Sequence, residues 1–106
     1  MKITTYKQAE EYLAGGKNKD SRRIAANKKL NRLKDGSIEV ELYETAIVTY
    51  HKDGKITVDN GGWATQTTHR HMNKHLPIGY CVRGHKGKTI FCYPGNKETG
   101  LGKLTV

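Results

Sequence analysis

Apolar and polar residues alternate most regularly in the segment from Ser37 to Tyr43. Ile38, Val40 and Leu42 fall on one side of an extended chain, and two glutamates fall on the other. A period of two residues is typical of a strand with one face buried and the other in water. The segment therefore predicts a half-buried β-strand.

Two Asp-Gly pairs predict tight hairpin turns, because this dipeptide adopts the backbone conformations that a short hairpin needs. Asp35-Gly36 joins the strand at Ser37 to a preceding strand that begins at about Lys28. A two-residue turn there predicts three facing pairs: Leu33 with Ile38, Arg32 with Glu39, and Asn31 with Val40. We interpret the residues before this hairpin, Ser21 to Asn27, as a loop or a helical turn.

A second hairpin follows along the chain. The β-branched and aromatic run from Ala46 to His51 predicts a strand. Asp53-Gly54 then predicts a turn, with Lys55 to Asp59 as the returning strand. Asn60-Gly61-Gly62 ends the ladder, since these residue types favour turns.

Helical spacing of apolar residues appears from Tyr6 to Leu13, after a threonine that can cap a helix, Thr4 or Thr5. Gly15-Gly16 ends this helix. A second helix is predicted to run to Leu76, where Pro77 closes it. Its cap is expected at Thr67 or Thr68.

The C-terminal third predicts one more hairpin, centred on Lys86-Gly87, with Cys81 facing Cys92 and Val82 facing Phe91. A last short strand is predicted at Lys103–Val106. The fold class is therefore α+β: a mostly antiparallel sheet of five to seven strands built from hairpins, with two short helices. Residues 1–106 form a single domain, in which 15–23 and the tail 94–106 are candidate mobile segments.

The net charge of the chain limits the classes of binding partner that we expect. Nineteen lysines and arginines outnumber ten aspartates and glutamates, which gives a formal net charge of +9. Such a surplus attracts polyanions, although excess lysine also serves solubility alone. We expect phosphate contacts from cations of separate segments, namely Lys28, Lys29, Arg32, Arg70, Lys74, Arg83 and Lys86.

The segment from Gly61 to Pro77, GGWATQTTHRHMNKHLP, contains the only tryptophan and three of the five histidines. A lone tryptophan after two glycines predicts a plug that is buried at one end of the sheet. The alternative is an exposed platform on which a nucleic-acid base stacks.

The histidines of this segment suggest two further hypotheses about its function. His71 and His75 are four residues apart, as in helical zinc sites, and Cys81 could add a third ligand. His69 or His71, oriented by Asp59, could act as the general base of a nuclease. The alternative is a basic helix face that titrates. We expect neither a resident metal nor a cofactor.

From about Asn27 to Leu76 the chain resembles a family of small proteins of tailed bacteriophages. The resemblance lies in LKDGSIEVELYETAIVTYHKDGKITVDNGGWATQTTHRHMNKHL, in which an Asp-Gly hairpin precedes Gly-Gly-Trp and a threonine-capped helix. That family has no established activity, so the resemblance implies a phage context and assigns no catalytic residue.

Together these observations favour a small phage accessory protein that is not an enzyme and binds DNA or RNA through phosphates. One alternative is a binding module that inhibits or redirects a host protein or defence complex, whose surface is acidic or nucleic-acid-binding. Another is a metal-dependent nuclease that uses the helix histidines. We expect no membrane association and a location in the cytoplasm, that of the host cell for a phage protein.

Overall fold

The computed structural model describes residues 2–95, 97–100 and 103–106. Two helices, α1 (Tyr6–Ala14) and α2 (Gln66–Lys74), accompany nine strands in this part of the chain. The strands are β1 (Ser21–Ala25), β2 (Lys28–Arg32), β3 (Ile38–Leu42), β4 (Thr45–Tyr50), β5 (Ile56–Asp59), β6 (Cys81–His85), β7 (Lys88–Tyr93), β8 (Lys97–Gly100) and β9 (Lys103–Thr105).

The strands form two antiparallel sheets. Six strands lie in the order β1-β2-β3-β4-β5-β9, and three lie in the order β6-β7-β8. The predicted α+β class, a mostly antiparallel sheet of five to seven strands with two short helices, is confirmed, since the larger sheet has six strands. The predicted Cys81–Tyr93 hairpin belongs to a second, three-stranded sheet. Of the tail predicted over 94–106, Asn96, Leu101 and Gly102 lie outside the described residues.

One hydrophobic core joins the sheets and helices. It contains alternate residues of β3, together with Ala9 and Leu13 of α1 and Met72 of α2. Helix α2 contacts both β4 of the large sheet and β6 of the small sheet. This helix therefore lies where the two sheets meet, and it can present side chains to a surface between them. No helix in the described part of the chain has the length and apolar character needed to cross a membrane.

Helix α1 begins and ends where the sequence predicts. The side chain of Thr5 accepts a hydrogen bond from the backbone N–H of Gln8, and Gly15 caps the C-terminal end. The prediction for the start of α2 was wrong. Thr65 is the cap, and its Oγ1 accepts from the backbone N–H of Thr68 at 3.3 Å. Thr68 is instead buried inside the first turn.

The register of the first hairpin differs by one residue from the prediction. Arg32 faces Ile38, Asn31 faces Glu39 and Leu30 faces Val40. The loop has three residues, because Leu33 N–H donates to the Ser37 carbonyl at 2.8 Å and Gly36 adopts a φ of 89°. This register places two fully buried apolar residues, Leu30 and Val40, opposite each other.

Ser21 to Ala25 was predicted as loop or helical turn, and this too was wrong. The segment is β1, the edge strand of the six-stranded sheet, and Arg22 faces Leu30 of β2. Its polar sequence carries no alternation, as is common at exposed sheet edges. The hairpin from Cys81 to Tyr93 has the predicted register, with Cys81 facing Cys92 and Val82 facing Phe91.

Candidate nucleic-acid interface

A groove of about 1030 Å³ opens beside α2, between the start of the chain, the β1–β2 edge of the large sheet and β6 of the small sheet. Five cationic side chains line it: Lys2, Lys28, Arg70, Lys74 and Arg83. No aspartate or glutamate is among the described residues that line it. We call this surface the basic groove.

Helix α2 supplies the outer cations of the basic groove. Arg70 and Lys74 are four residues apart, so one helical turn places them on the same side of the helix. Both side chains are exposed, and within the described part of the chain neither forms an ion pair. Their charge is therefore available to an anion from solvent.

Lys28 is the innermost cation. Its side chain is only 6% exposed, and its Nζ lies 3.2 Å from Nδ1 of His71. Burial lowers the pKa of Lys28, and the charge of Lys74 lowers it further. Burial also lowers the pKa of His71, followed in effect by the charges of Lys28, Lys74 and Arg70. A neutral His71 thus accepts a hydrogen bond from the Lys28 ammonium.

Burial is the largest cause of both pKa shifts, and repulsion from neighbouring positive groups adds to it. The positive groups around His71 disfavour one more proton on it, because each is close enough to act on its ring. A phosphate in the basic groove would offset this repulsion. It would also replace part of the hydration that Lys28 loses on burial.

The structure brings together four of the seven predicted phosphate contacts, Lys28, Arg70, Lys74 and Arg83. Arg83 also forms an ion pair with Glu98 of β8, so part of its charge is neutralised. Lys86 lies in a neighbouring hollow of about 320 Å³, which shares Gln66, His69 and Gly84 with the basic groove.

The two remaining predicted contacts are paired with carboxylates away from the basic groove. Lys29 Nζ lies 3.7 Å from a carboxylate oxygen of Glu41, and Arg32 lies 3.9 Å from one of Glu10. Lys2 was not predicted from the sequence. Its neighbours along the chain form no basic cluster, and only the fold carries it to the groove.

The candidate metal ligands His71, His75 and Cys81 are not brought together. His71 contacts Lys28, and His75 is buried with its Nδ1 2.8 Å from the Ile3 carbonyl. Cys81 faces Cys92 across the β6–β7 hairpin. No group of three or more histidine, cysteine or acidic side chains in the described ranges has the arrangement of a metal site.

The candidate catalytic residues Asp59, His69 and His71 also have separate partners. The Asp59 carboxylate accepts from the Gly61 backbone N–H at 2.8 Å. His69 is buried with its Nε2 2.5 Å from the Thr89 hydroxyl, and burial lowers its pKa. The hydrogen bonds of these residues therefore do not join a histidine to a carboxylate that could orient it.

The prediction that Trp63 is a buried plug was wrong, because its side chain is 60% exposed. Gly61 and Gly62 have φ values of 61° and 86° and turn the chain outward before α2. A Cβ on Gly61 would lie 2.4 Å from Thr45 Cγ2, so the turn packs closely on β4.

Trp63 and Tyr43 line a second groove, of about 430 Å³, which we call the aromatic groove. Tyr43 is 62% exposed and lies in the turn between β3 and β4. The other tyrosines of interest, Tyr80 and Tyr93, stack on the buried Phe91 at centroid distances of 6.1 and 5.7 Å. Those two rings therefore contribute mainly to packing.

A family model described as Kyanoviridae Gp96 protein matches residues 4–95. The matched range includes both helices, strands β1 to β7 and all residues of the aromatic groove. No curated protein and no solved structure matches the chain.

Proposed function

The chain belongs to the Kyanoviridae Gp96 family, a family of bacteriophage proteins, and we propose that it binds nucleic acid in the host cytoplasm through phosphate contacts in the basic groove. A phage context is what the sequence resemblance implied. The proposed role is that of an accessory protein without catalysis, whose partner is DNA or RNA.

The main support for the proposal is that cations converge in the basic groove. Its described lining contains no aspartate or glutamate. Lys2, Lys28, Arg83 and the pair on α2 come from four separate parts of the chain and meet on one concave surface. Low-dielectric walls concentrate the field of such a groove and raise the local concentration of polyanions. A bound anion would also offset the repulsion that the neighbouring positive groups add at Lys28 and His71.

The groups in the basic groove suit phosphates more than base edges. The Arg70 guanidinium can hold two phosphate oxygens at once, while Lys74 acts as a point charge one turn away. Contacts of this kind fix the position of a strand without reading its sequence. We therefore propose recognition by charge and shape.

Binding to a host protein is a second candidate function. The exposed pair of Trp63 and Tyr43 favours it, since aromatic residues are enriched at the centres of protein interfaces. In that case an acidic host surface would occupy the basic groove, and an apolar side chain would enter the aromatic groove. We also infer that the Asp-Gly hairpin, Gly-Gly-Trp and the threonine-capped helix are shared features of the family.

The test is a fluorescence-anisotropy titration of labelled single-stranded and duplex oligonucleotides with the protein and a variant that carries Arg70→Gln and Lys74→Gln. Each phosphate contact changes affinity with a log–log salt slope of about −0.7 on single strands, so losing two contacts should weaken binding by roughly 20-fold at about 0.1 M salt. Both exposed side chains can be removed without opening the core.

The matched control carries Lys52→Gln and Lys55→Gln. Both lysines are exposed at the β4–β5 turn, and neither lines the basic groove. This control loses the same net charge, and we expect it to keep most of the affinity. Equal weakening in the two variants would show that net charge alone attracts nucleic acid, and the assignment to the groove would be wrong.

A further inference from the structure

The aromatic groove is an open slot with apolar walls and a polar end. Trp63 and Tyr43 are among the few large hydrophobic side chains that are well exposed within the described ranges. Leu42 and Ile47 add buried apolar surface, and threonines from the start of α2 add hydroxyl groups. A slot of this kind suits a flat ring that stacks on aromatic faces and has polar edges.

The backbone holds Tyr43 in position. Its N–H donates to the Asn27 carbonyl at 2.9 Å, and its hydroxyl accepts from the Asn27 side-chain amide at 3.2 Å. Tyr43 and Glu44 both have positive φ values, 57° and 122°, in a turn where Asn-Gly is the favoured sequence. Strain of this kind is often retained where a side chain must point in a particular direction.

A path of adjoining hollows connects the two grooves. A small hollow of about 180 Å³ is lined by Arg23, Lys28, Lys29 and Tyr43, and also by Glu41. Glu41 pairs with Lys29, which leaves Arg23 and Lys28 as the cations of this hollow without a carboxylate partner among the described residues. Lys28 also lines the basic groove, and Tyr43 also lines the aromatic groove. A strand with phosphates at Arg70 and Lys74 can therefore continue past Lys28 and reach the aromatic rings.

The charge at the far end favours a base over a phosphate. Glu44 lines the aromatic groove, and its carboxylate would repel a phosphate. A carboxylate can instead accept a hydrogen bond from an N–H group of an unpaired base, either an exocyclic amino group or the N3–H of thymine. Phosphates are thus favoured at one end of the path and bases at the other.

We propose that the aromatic groove holds an unpaired base of a single-stranded nucleic acid, stacked against Trp63 and Tyr43. This inference rests on the proposed function and adds a preference for single strands over duplex. A duplex can occupy the basic groove, but its bases remain paired and stacked on each other, so they do not reach the rings.

The experiment uses the emission of Trp63, the only tryptophan in the chain. The probes are a single-stranded oligothymidylate, an abasic strand of the same length and a duplex. Binding of oligothymidylate should quench the Trp63 emission, because a base stacks on the indole ring. Binding of the abasic strand should leave the emission unchanged. Trp63→Ala should weaken oligothymidylate binding, measured by anisotropy, by between about 5- and 150-fold, the usual contribution of one stacked base.

Trp63→Phe is the conservative control, because it keeps a ring in the groove and should recover part of the affinity. Neither substitution should change binding of the abasic strand or the duplex. If oligothymidylate and the abasic strand bind equally well and emission stays constant, the aromatic groove is not a base site, while the proposed function stands. If none of the three probes binds, both proposals are wrong.

Discussion

His75 ties the N-terminal segment to the end of α2. Its Nδ1 lies 2.8 Å from the Ile3 carbonyl, and the buried Tyr50 hydroxyl lies 3.1 Å from that same carbonyl and 2.5 Å from the carbonyl of His75. Because a carbonyl only accepts, Nδ1 carries the proton and Nε2 has none. Within the described part of the chain, Nε2 is buried without a hydrogen-bond partner.

This burial makes folding sensitive to acid. Burial is the main cause that lowers the pKa of His75 from 6.5 to about 4. Between these values the unfolded chain binds a proton that the folded protein does not, so stability falls as the pH is lowered through the window. The shift corresponds to roughly 3 kcal/mol of unfolding free energy. Urea unfolding at several pH values should show this loss.

His75→Gln should reduce the pH dependence between pH 6.5 and 4, since glutamine does not titrate there. His85→Gln is the matched control, because His85 lies exposed in the β6–β7 hairpin and should leave the slope unchanged. An unchanged slope in His75→Gln would mean that other groups cause the acid sensitivity.

At the scale of elements, local patterns predicted the strands and turns that carry strong local signals. Neighbouring residues were enough to predict the alternation of β3, the cap at Thr5 and the pairing of Cys81 with Cys92. Strands β1 and β8 could not be predicted from neighbouring residues. Their polar side chains bury little surface, and each strand is held mainly by pairing with a neighbouring strand.

The candidate site was predictable only in part, for a related reason. Residue type predicted Arg70 and Lys74 as phosphate contacts, but which other cations meet them depends on how the sheets pack. Trp63 was assigned to the core because large aromatic residues bury favourably. Its exposure goes with the positive φ values of Gly61 and Gly62, which turn the chain just before it and which no pattern of apolar residues reveals.

The energetic cost of the positive φ of Glu44, in the β3–β4 turn, can be measured by substitution. Glu44→Gly should stabilise the protein by about 1 kcal/mol, because glycine adopts a φ of 122° without the clash that a Cβ causes. Chemical unfolding measures the change. Glu44→Ala removes the same carboxylate but keeps the Cβ, so it should give no such gain. Equal stabilisation by both variants would point to the charge of Glu44 as the cause.

At the scale of the whole molecule, charge is distributed unevenly. The net charge is +9, yet three described ion pairs place carboxylates beside Lys29, Arg32 and Arg83. The described lining of the basic groove has no acid of its own. We therefore propose that a polyanion near the protein is attracted most strongly at this groove.

The salt dependence of nucleic-acid binding tests that claim most directly. The basic groove exposes three cations without a described carboxylate partner, Lys2, Arg70 and Lys74, so log Kd should rise with log salt at a slope of about 2.1 on single strands and about 2.7 on duplex. The Arg70→Gln, Lys74→Gln variant should lower these slopes by about 1.4 and about 1.8, and the Lys52→Gln, Lys55→Gln control should not. A slope near zero, or one that the groove variant leaves unchanged, would contradict the account.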